Sequence, residues 1–264
     1  KVQDGCNNFC SYCLIPYVRG RSRSRSIESV LCELDCVKGV AKEVVVTGIN
    51  LSAFGKDTNS SLTELMNALS RYDFGVRLGS LEVGVICKEF LDATKKIKRF
   101  CPHFHLSLQS GDDATLKAMN RHYTTEQYYN AVKLIREYYP DCAVTTDIIV
   151  GFPTETEEQF ENCMRFATKV GFADIHVFPY SSRRGTVAGR MKPLSPDVVT
   201  SRQRMMSGIK SELVQNYLNK QLGMPQSVLF ETAEDGVWCG HTPNYVKVYS
   251  RQGAHNEVRQ IVPT

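Results

Sequence analysis

The stretch Ala143-Val144-Thr145-Thr146-Asp147-Ile148-Ile149-Val150-Gly151 decides the fold class. A half-buried strand alternates apolar with polar side chains, whereas Ile148, Ile149 and Val150 put apolar groups on both faces in succession. That is the signature of a parallel strand covered on both sides. Val44-Val45-Val46 repeats it, and five further strands are predicted at 1–5, 43–48, 76–82, 103–109 and 174–180. Amphipathic helices fill the intervals. In the first, Ile27, Val30, Leu31, Leu34 and Val37 form a stripe at helical spacing, opened by Ser26 and stopped by Gly39. Ser61 with Glu64, Thr124 with Gln127 and Thr156 with Gln159 have capping-box spacing. About six strand-then-helix units predict an α/β protein with right-handed crossovers, closed as a doubly wound sheet or as a full or partial parallel β/α barrel. Either arrangement collects ligands at the carboxyl ends of its strands.

Beyond these units a long helix is predicted from Ser195-Pro196 to Leu222, with Pro196 at its first position and Gly223 at its end. Short alternating stretches at 227–231, 237–240, 245–250 and 258–262 follow, so a small all-β segment is expected at 223–264, after a barrel at 1–222. Of 264 residues, 42% are hydrophobic and 23% charged, which excludes disordered and collagenous chains. No apolar run reaches the roughly 18 residues of a membrane span, so no membrane partner and a cytoplasmic location are expected. The net charge of +4 is too small to identify a nucleic-acid partner by itself. Ten cysteines are too few for a disulfide scaffold, and in a reducing compartment they are thiols, metal ligands or nucleophiles. The chain opens at Lys1 and stops at Thr264, and reads as an excised fragment.

Cys6-Asn7-Asn8-Phe9-Cys10-Ser11-Tyr12-Cys13 follows the first predicted strand, where a barrel displays its ligand face. Thiolates suit iron–sulfur clusters, zinc or copper(I), and three on one loop can converge on a polynuclear centre. A four-iron cubane held by three cysteines keeps one iron free for another ligand. Zinc with a remote fourth ligand, or three unrelated packing thiols, are the alternatives.

Cys6, Cys10 and Cys13, with Tyr12 before the last, resemble the signature of radical S-adenosylmethionine (SAM) enzymes. The resemblance implies a full or partial β/α barrel and a [4Fe-4S] cluster whose open iron binds SAM. Cleavage of that SAM yields a 5′-deoxyadenosyl radical that abstracts hydrogen. Six further segments narrow the likeness: Val2 to Asn7, Ile15 to Arg21, Thr47 to Asn50, Leu108 to Gly111, Asp147 to Pro153 and His176 to Ser181. Together they are similar to the methylthiotransferases that modify tRNA or a ribosomal protein. Phe178-Pro179-Tyr180-Ser181 and Thr242-Pro243-Asn244-Tyr245 resemble most the branch acting on threonylcarbamoyladenosine beside the anticodon. The final β segment resembles part of that family's RNA-binding TRAM domain. Thr154 departs from the pattern, standing where the family often has Gly.

The resemblance implies a tRNA anticodon stem-loop as partner and a reducing donor such as flavodoxin or ferredoxin. It also implies a second [4Fe-4S] cluster, in an N-terminal domain missing from these residues, and two SAM molecules per methylthio group placed on adenine C2. Isopentenyladenosine in tRNA is the alternative substrate, and another radical SAM reaction the alternative activity. A zinc-containing, noncatalytic RNA-binding module is the alternative class.

For the cofactor pocket, Tyr12, Gly48, Asn50, Glu82, Gln109 and Asp147 are candidates, being aromatic, small or polar residues near the cysteine loop or the strand ends. Arg19, Arg21, Arg23 and Arg25 beside the cysteine loop, and Tyr245 and Lys247 in a terminal strand shared with Tyr249, are candidates for tRNA contact. A solvated loop and an ordinary exposed strand are the plainer readings, and Arg183-Arg184 is a weaker basic pair. Cys32 and Cys36 read as surface thiols, and Cys87, Cys101, Cys142, Cys163 and Cys239 as packing residues. His103-Phe104-His105 puts two imidazoles on one strand face, as a metal-dependent barrel hydrolase could. No carboxylate stands near them in sequence to bridge them, and packing is the plainer role.

Overall fold

The computed structural model describes residues 1–264. Its opening third contains β1 (Gln3–Asp4), α1 (Ile15–Val18), β2 (Arg23–Ser24), α2 (Ile27–Val37), β3 (Glu43–Val46), α3 (Leu62–Leu69), β4 (Gly75–Leu78) and α4 (Lys88–Lys95). There follow β5 (His103–His105), α5 (Asp113–Ala118), α6 (Thr125–Tyr138), β6 (Ala143–Val150), α7 (Glu157–Val170), β7 (Asp174–Pro179) and α8 (Pro196–Asn219). The chain closes with β8 (Gln226–Glu234), β9 (Val237–His241), β10 (Lys247–Ser250) and β11 (Glu257–Ile261).

Strands β3 and β4 pair in parallel, as do β5, β6 and β7. Single parallel bridges join Gln3 to Gly48 and Leu81 to Leu106, so β1, β3, β4, β5, β6 and β7 stand side by side in chain order. First and last strands do not pair, which leaves a partial β/α barrel open on one side. All three capping boxes form: Ser61, Thr124 and Thr156 each accept from a backbone N–H three residues on, and the Glu or Gln there accepts in return.

The even residues of β6 face the helices: Val144, Ile148 and Val150 are at most 1% exposed. Burial of each such side chain contributes about 1.5–3 kcal/mol. The lumen face differs from the doubly apolar strand expected. Val45 points inward, and Ile149 shares the side of β6 that carries Thr145 and Asp147, but Glu43, Arg77, His105, Thr145 and His176, with Asp147 against both histidines, make the lumen polar. Because the first and last strands do not pair, the arc stays open on one side, and polar groups tolerate the resulting space.

Two further expectations are corrected. The first strand is only two residues long and its ladder partner is antiparallel, Gln3 opposite Ser24 and Asp4 opposite Arg23. Gly5 and Gly20, at φ +70° and +78°, turn the chain back on itself around the cysteine loop, and a β-carbon on Gly5 would collide with the Arg21 carbonyl. Tyr245 is not in a strand with Lys247 and Tyr249: it sits at φ +66° in the turn before β10.

Strands β10, β9, β8 and β11 form an antiparallel sheet around Val228, Phe230, Val246 and Val248. Helix α8 is tied to the barrel by buried Arg202, which donates to the Glu155 carboxylate (2.8 Å) and carbonyl (2.9 Å). The turn at 242–245 reaches the amino end of the lumen. There Arg77 donates to both oxygens of Glu43 (2.6 and 3.1 Å), to the Pro243 carbonyl (2.9 Å) and to the Thr242 carbonyl (3.1 Å). Tyr245 stacks on His103 on one face and on His241 nearby, with ring centroids 4.6 and 4.8 Å apart.

Candidate functional site

The cysteine loop crosses the carboxyl ends of the strands. Phe9 at φ +49° tightens the span between Cys6 and Cys10, and the Cys13 N–H donates to the Cys10 carbonyl (3.0 Å). Each sulfur lies within reach of an N–H: Asn8 N and Asn50 Nδ2 at Cys6 (3.5 and 3.8 Å), Arg121 Nη1 at Cys10 (3.3 Å) and Ile15 N at Cys13 (3.4 Å). Such donors stabilise thiolates that serve as ligands. Burial pushes the Cys13 thiol up, so taking a metal there must displace a proton.

The three cysteines share a cavity of about 220 Å³ with Asn8, Tyr12, Asn50, Glu82, Gln109 and Arg121. Glu82 is held from two sides, by Asn8 Nδ2 (2.6 Å) and Arg121 Nη2 (2.9 Å). Arg121, with its side chain 6% exposed, also donates to Tyr123 Oη (3.1 Å). Burial disfavours its charge, but Tyr123, Glu82, Tyr12 and Cys10 overcome that and keep it protonated. Gln109 adopts φ +70°, rare for a residue with a side chain; its N–H donates to the Asp147 carbonyl and its carbonyl accepts from Ile149. Backbone held in this region concentrates at functional sites.

Of the residues singled out from sequence, the structure gathers Cys6, Cys10, Cys13, Tyr12, Asn50, Glu82 and Gln109 in this one cavity. Gly48 lies behind it: a β-carbon there would come within 2.9 Å of Gln3 Oε1, so its smallness lets β1 approach β3. Asp147 lies deeper, mid-strand in β6, between His105 and His176. Arg19 and Arg21 are exposed on the rim, with the Arg21 guanidinium 4.5 Å above the Phe9 ring. Arg23 is spent on the Arg19 and Arg21 carbonyls, and Arg25 on Glu33 and Ser29. Tyr245 and Lys247 lie away from the cysteine loop, at the other end of the lumen. Asn8 and Arg121 were not singled out from sequence. Arg121 follows a turn in which Asn120 sits at φ +57°, and no local pattern marks a cation there as inward-facing.

The donor set fits an iron–sulfur cluster better than a single ion. The only trio of His, Cys, Asp and Glu ligand atoms all within 4.8 Å of one another is His105, Asp147 and His176, so the loop sulfurs are spread more widely than that. Sulfurs around one tetrahedral zinc, at Zn–S distances of about 2.3 Å, would lie roughly 3.8 Å apart.

Residues 1–167 match the family described as the Radical SAM superfamily, and the chain belongs to that superfamily. Within it, the chain is similar to the threonylcarbamoyladenosine tRNA methylthiotransferases of Bacillus subtilis, at 34% identity over 99% of the chain and 60% of the relative, and of Thermotoga maritima, at 38% over 98% and 62%. It is also similar to the tRNA-2-methylthio-N(6)-dimethylallyladenosine synthase of Caldicellulosiruptor saccharolyticus, at 43% identity over 74% of the chain and 42% of the relative. The chain thus spans about three fifths of the length of the first of these relatives. Among solved structures, coproporphyrinogen III oxidase from Escherichia coli, a radical SAM enzyme, shares the fold at TM-score 0.57 and 14% identity, covering 96% of this chain and 60% of that one. A radical SAM methyltransferase from Kitasatospora setae, solved with cobalamin and a [4Fe-4S] cluster, aligns at TM-score 0.59 and 17% identity over 71% of this chain and 37% of that one. No helix is long and apolar enough to cross a membrane.

Proposed function

We propose that this chain is the SAM-cleaving part of a tRNA methylthiotransferase acting on threonylcarbamoyladenosine beside the anticodon. The observation that carries the reading is the three-thiol loop opening into one cavity with Asn50, Glu82, Gln109 and Arg121. When bound there, a [4Fe-4S] cluster with one iron free of protein ligands would bind SAM and supply the electron for its reductive cleavage.

Cys6, Cys10 and Cys13 would hold the cluster, with their N–H neighbours supporting the thiolate charge. Glu82, preset by Asn8 and Arg121, offers a carboxylate to an ammonium group, and Arg121 offers a cation to a carboxylate; SAM carries both groups. Tyr12 packs against the buried cluster of Met119, Phe152 and Ala188 and would wall that side of the pocket from water. Arg19 and Arg21 stand free at the rim to meet RNA phosphates.

Coverage favours threonylcarbamoyladenosine over dimethylallyladenosine. Four relatives named for the former match 94–99% of the chain, four named for the latter 74–91%. The test is anaerobic incubation of the full-length protein with SAM, a reductant and tRNA, followed by mass spectrometry of the nucleosides. The methylthio derivative of threonylcarbamoyladenosine is expected. Production of 5′-deoxyadenosine with no methylthiolated nucleoside would overturn the substrate assignment.

A further inference from the structure

His105, Asp147 and His176 come from three adjacent strands, and all three point into the lumen. His105 and Ser107 lie two residues apart on the same strand line, and Ser107 lines the cysteine cavity, so His105 lies about 7 Å below that cavity. A second cavity of about 710 Å³ opens here toward α8 and the terminal sheet, with Ser80 lining both spaces. The carboxylate missing from the local sequence around His103-Phe104-His105 is thus supplied by β6. The second imidazole is supplied by β7 rather than by His103, which turns to Thr145 (2.8 Å) and stacks on Tyr245.

The geometry points to a binding site for one divalent first-row transition ion, of the zinc or iron(II) class, held by His105 Nε2, Asp147 and His176 Nδ1. His105 Nε2 lies 3.3 Å from Asp147 Oδ2, and His176 Nδ1 lies 3.1 Å from Asp147 Oδ1. All three ligand atoms lie within 4.8 Å of one another, within reach of the roughly 3.3 Å spacing of ligands around a tetrahedral ion with bonds of about 2.0–2.1 Å. The far nitrogen of His105 has a hydrogen-bond partner, and that of His176 has a carboxylate at longer range. His105 Nδ1 lies 3.0 Å from Thr145 Oγ1, and His176 Nε2 lies 3.9 Å from Asp174 Oδ2. Ligating imidazoles are oriented by such contacts at their other nitrogen. His105 is buried and Asp147 largely so, but the His176 side chain is 51% exposed to the cavity, which leaves coordination positions open on that side. Two imidazoles and a carboxylate with open positions select transition ions over calcium or magnesium, which prefer an all-oxygen shell. This site uses none of the residues assigned to the cluster and stands independently of the proposed substrate.

The test is calorimetric titration of the cluster-loaded protein with Zn²⁺ and metal counting after desalting. A parallel Co²⁺ titration uses a variant with Cys6, Cys10 and Cys13 changed to Ser. One saturable zinc per chain is expected, lost in His176→Ala and Asp147→Asn and kept in His103→Gln. Thr145→Val, which frees one orienting contact, should weaken binding about 10- to 100-fold. The cobalt spectrum of the serine variant should show d–d absorption without sulfur-to-metal charge transfer. His176, being exposed, can be replaced without loss of core packing, and the cobalt spectrum reads the ligand type with all three proposed ligands in place. Absence of a saturable equivalent, binding indifferent to His176 and Asp147, or a thiolate-type cobalt spectrum would each overturn the site.

Discussion

The lumen has two ends, and each holds a buried arginine paired with a glutamate. At the amino end Arg77 meets Glu43 and two carbonyls of the 242–243 turn, and every one of those contacts belongs to the protein. At the carboxyl end Arg121 meets Glu82, Tyr123 and the Cys10 sulfur, and its surroundings open into the cavity of the cysteine loop. Both pairs line a cavity, so the same residue pair serves as a fastener where it ties the barrel to the 242–243 turn, and as part of a binding surface where ligand-type sulfurs adjoin it. Burial and pairing alone do not distinguish the two roles; what lies beside the pair does.

The largest expected effect breaks the fastener. Arg77→Met removes a cation whose side chain is 5% exposed and leaves the Glu43 carboxylate with Cys101 as its remaining side-chain donor. Loss of one partner of a buried pair costs about 3–5 kcal/mol, read as a lowered denaturation midpoint. An unchanged midpoint would dismiss the fastener role. The counterpart at the other end, Arg121→Met, is expected to cost less, about 1–3 kcal/mol, since Asn8 still donates to Glu82. Its main effect should be weaker SAM binding by the cluster-loaded protein, so retained SAM affinity would erase the contrast between the ends.

The smallest effect concerns the other cysteines. Burial pushes the Cys101 and Cys163 thiols up to about 12 and Cys142 to about 11, so at pH 8 only about one molecule in a thousand, or fewer, carries thiolate there. Brief iodoacetamide treatment of the native protein at pH 8 should modify exposed Cys32 and Cys36 and spare these three, with the difference narrowing as pH rises toward 11. Equal labelling at pH 8, read by mass spectrometry, would contradict the burial-driven shifts.

Whatever depended on short-range pattern was legible in the sequence: the parallel strands through their apolar runs, three helix starts through their capping boxes, and the cysteine loop through its spacing. What escaped depended on register between distant segments. Asp147 faces inward because β6 alternates, but its meeting with His105 and His176 follows from how β5, β6 and β7 align. The placement of Tyr245 against His103 follows from a turn that docks across the barrel, and the inward aim of Arg121 from a helix end. No window of consecutive residues records these distances. The polar lumen was missed for a related reason: two apolar runs dominate the strand pattern, while the inward positions of the other strands are scattered through the chain.

Whether the loop of Cys6, Cys10 and Cys13 holds a four-iron cluster is decided by anaerobic reconstitution with iron and sulfide. A brown protein with about four irons per chain is expected, its iron lost on Cys10→Ala and kept on Cys36→Ala. An iron content unchanged by Cys10→Ala, or a colourless protein carrying one zinc at the loop, would contradict it.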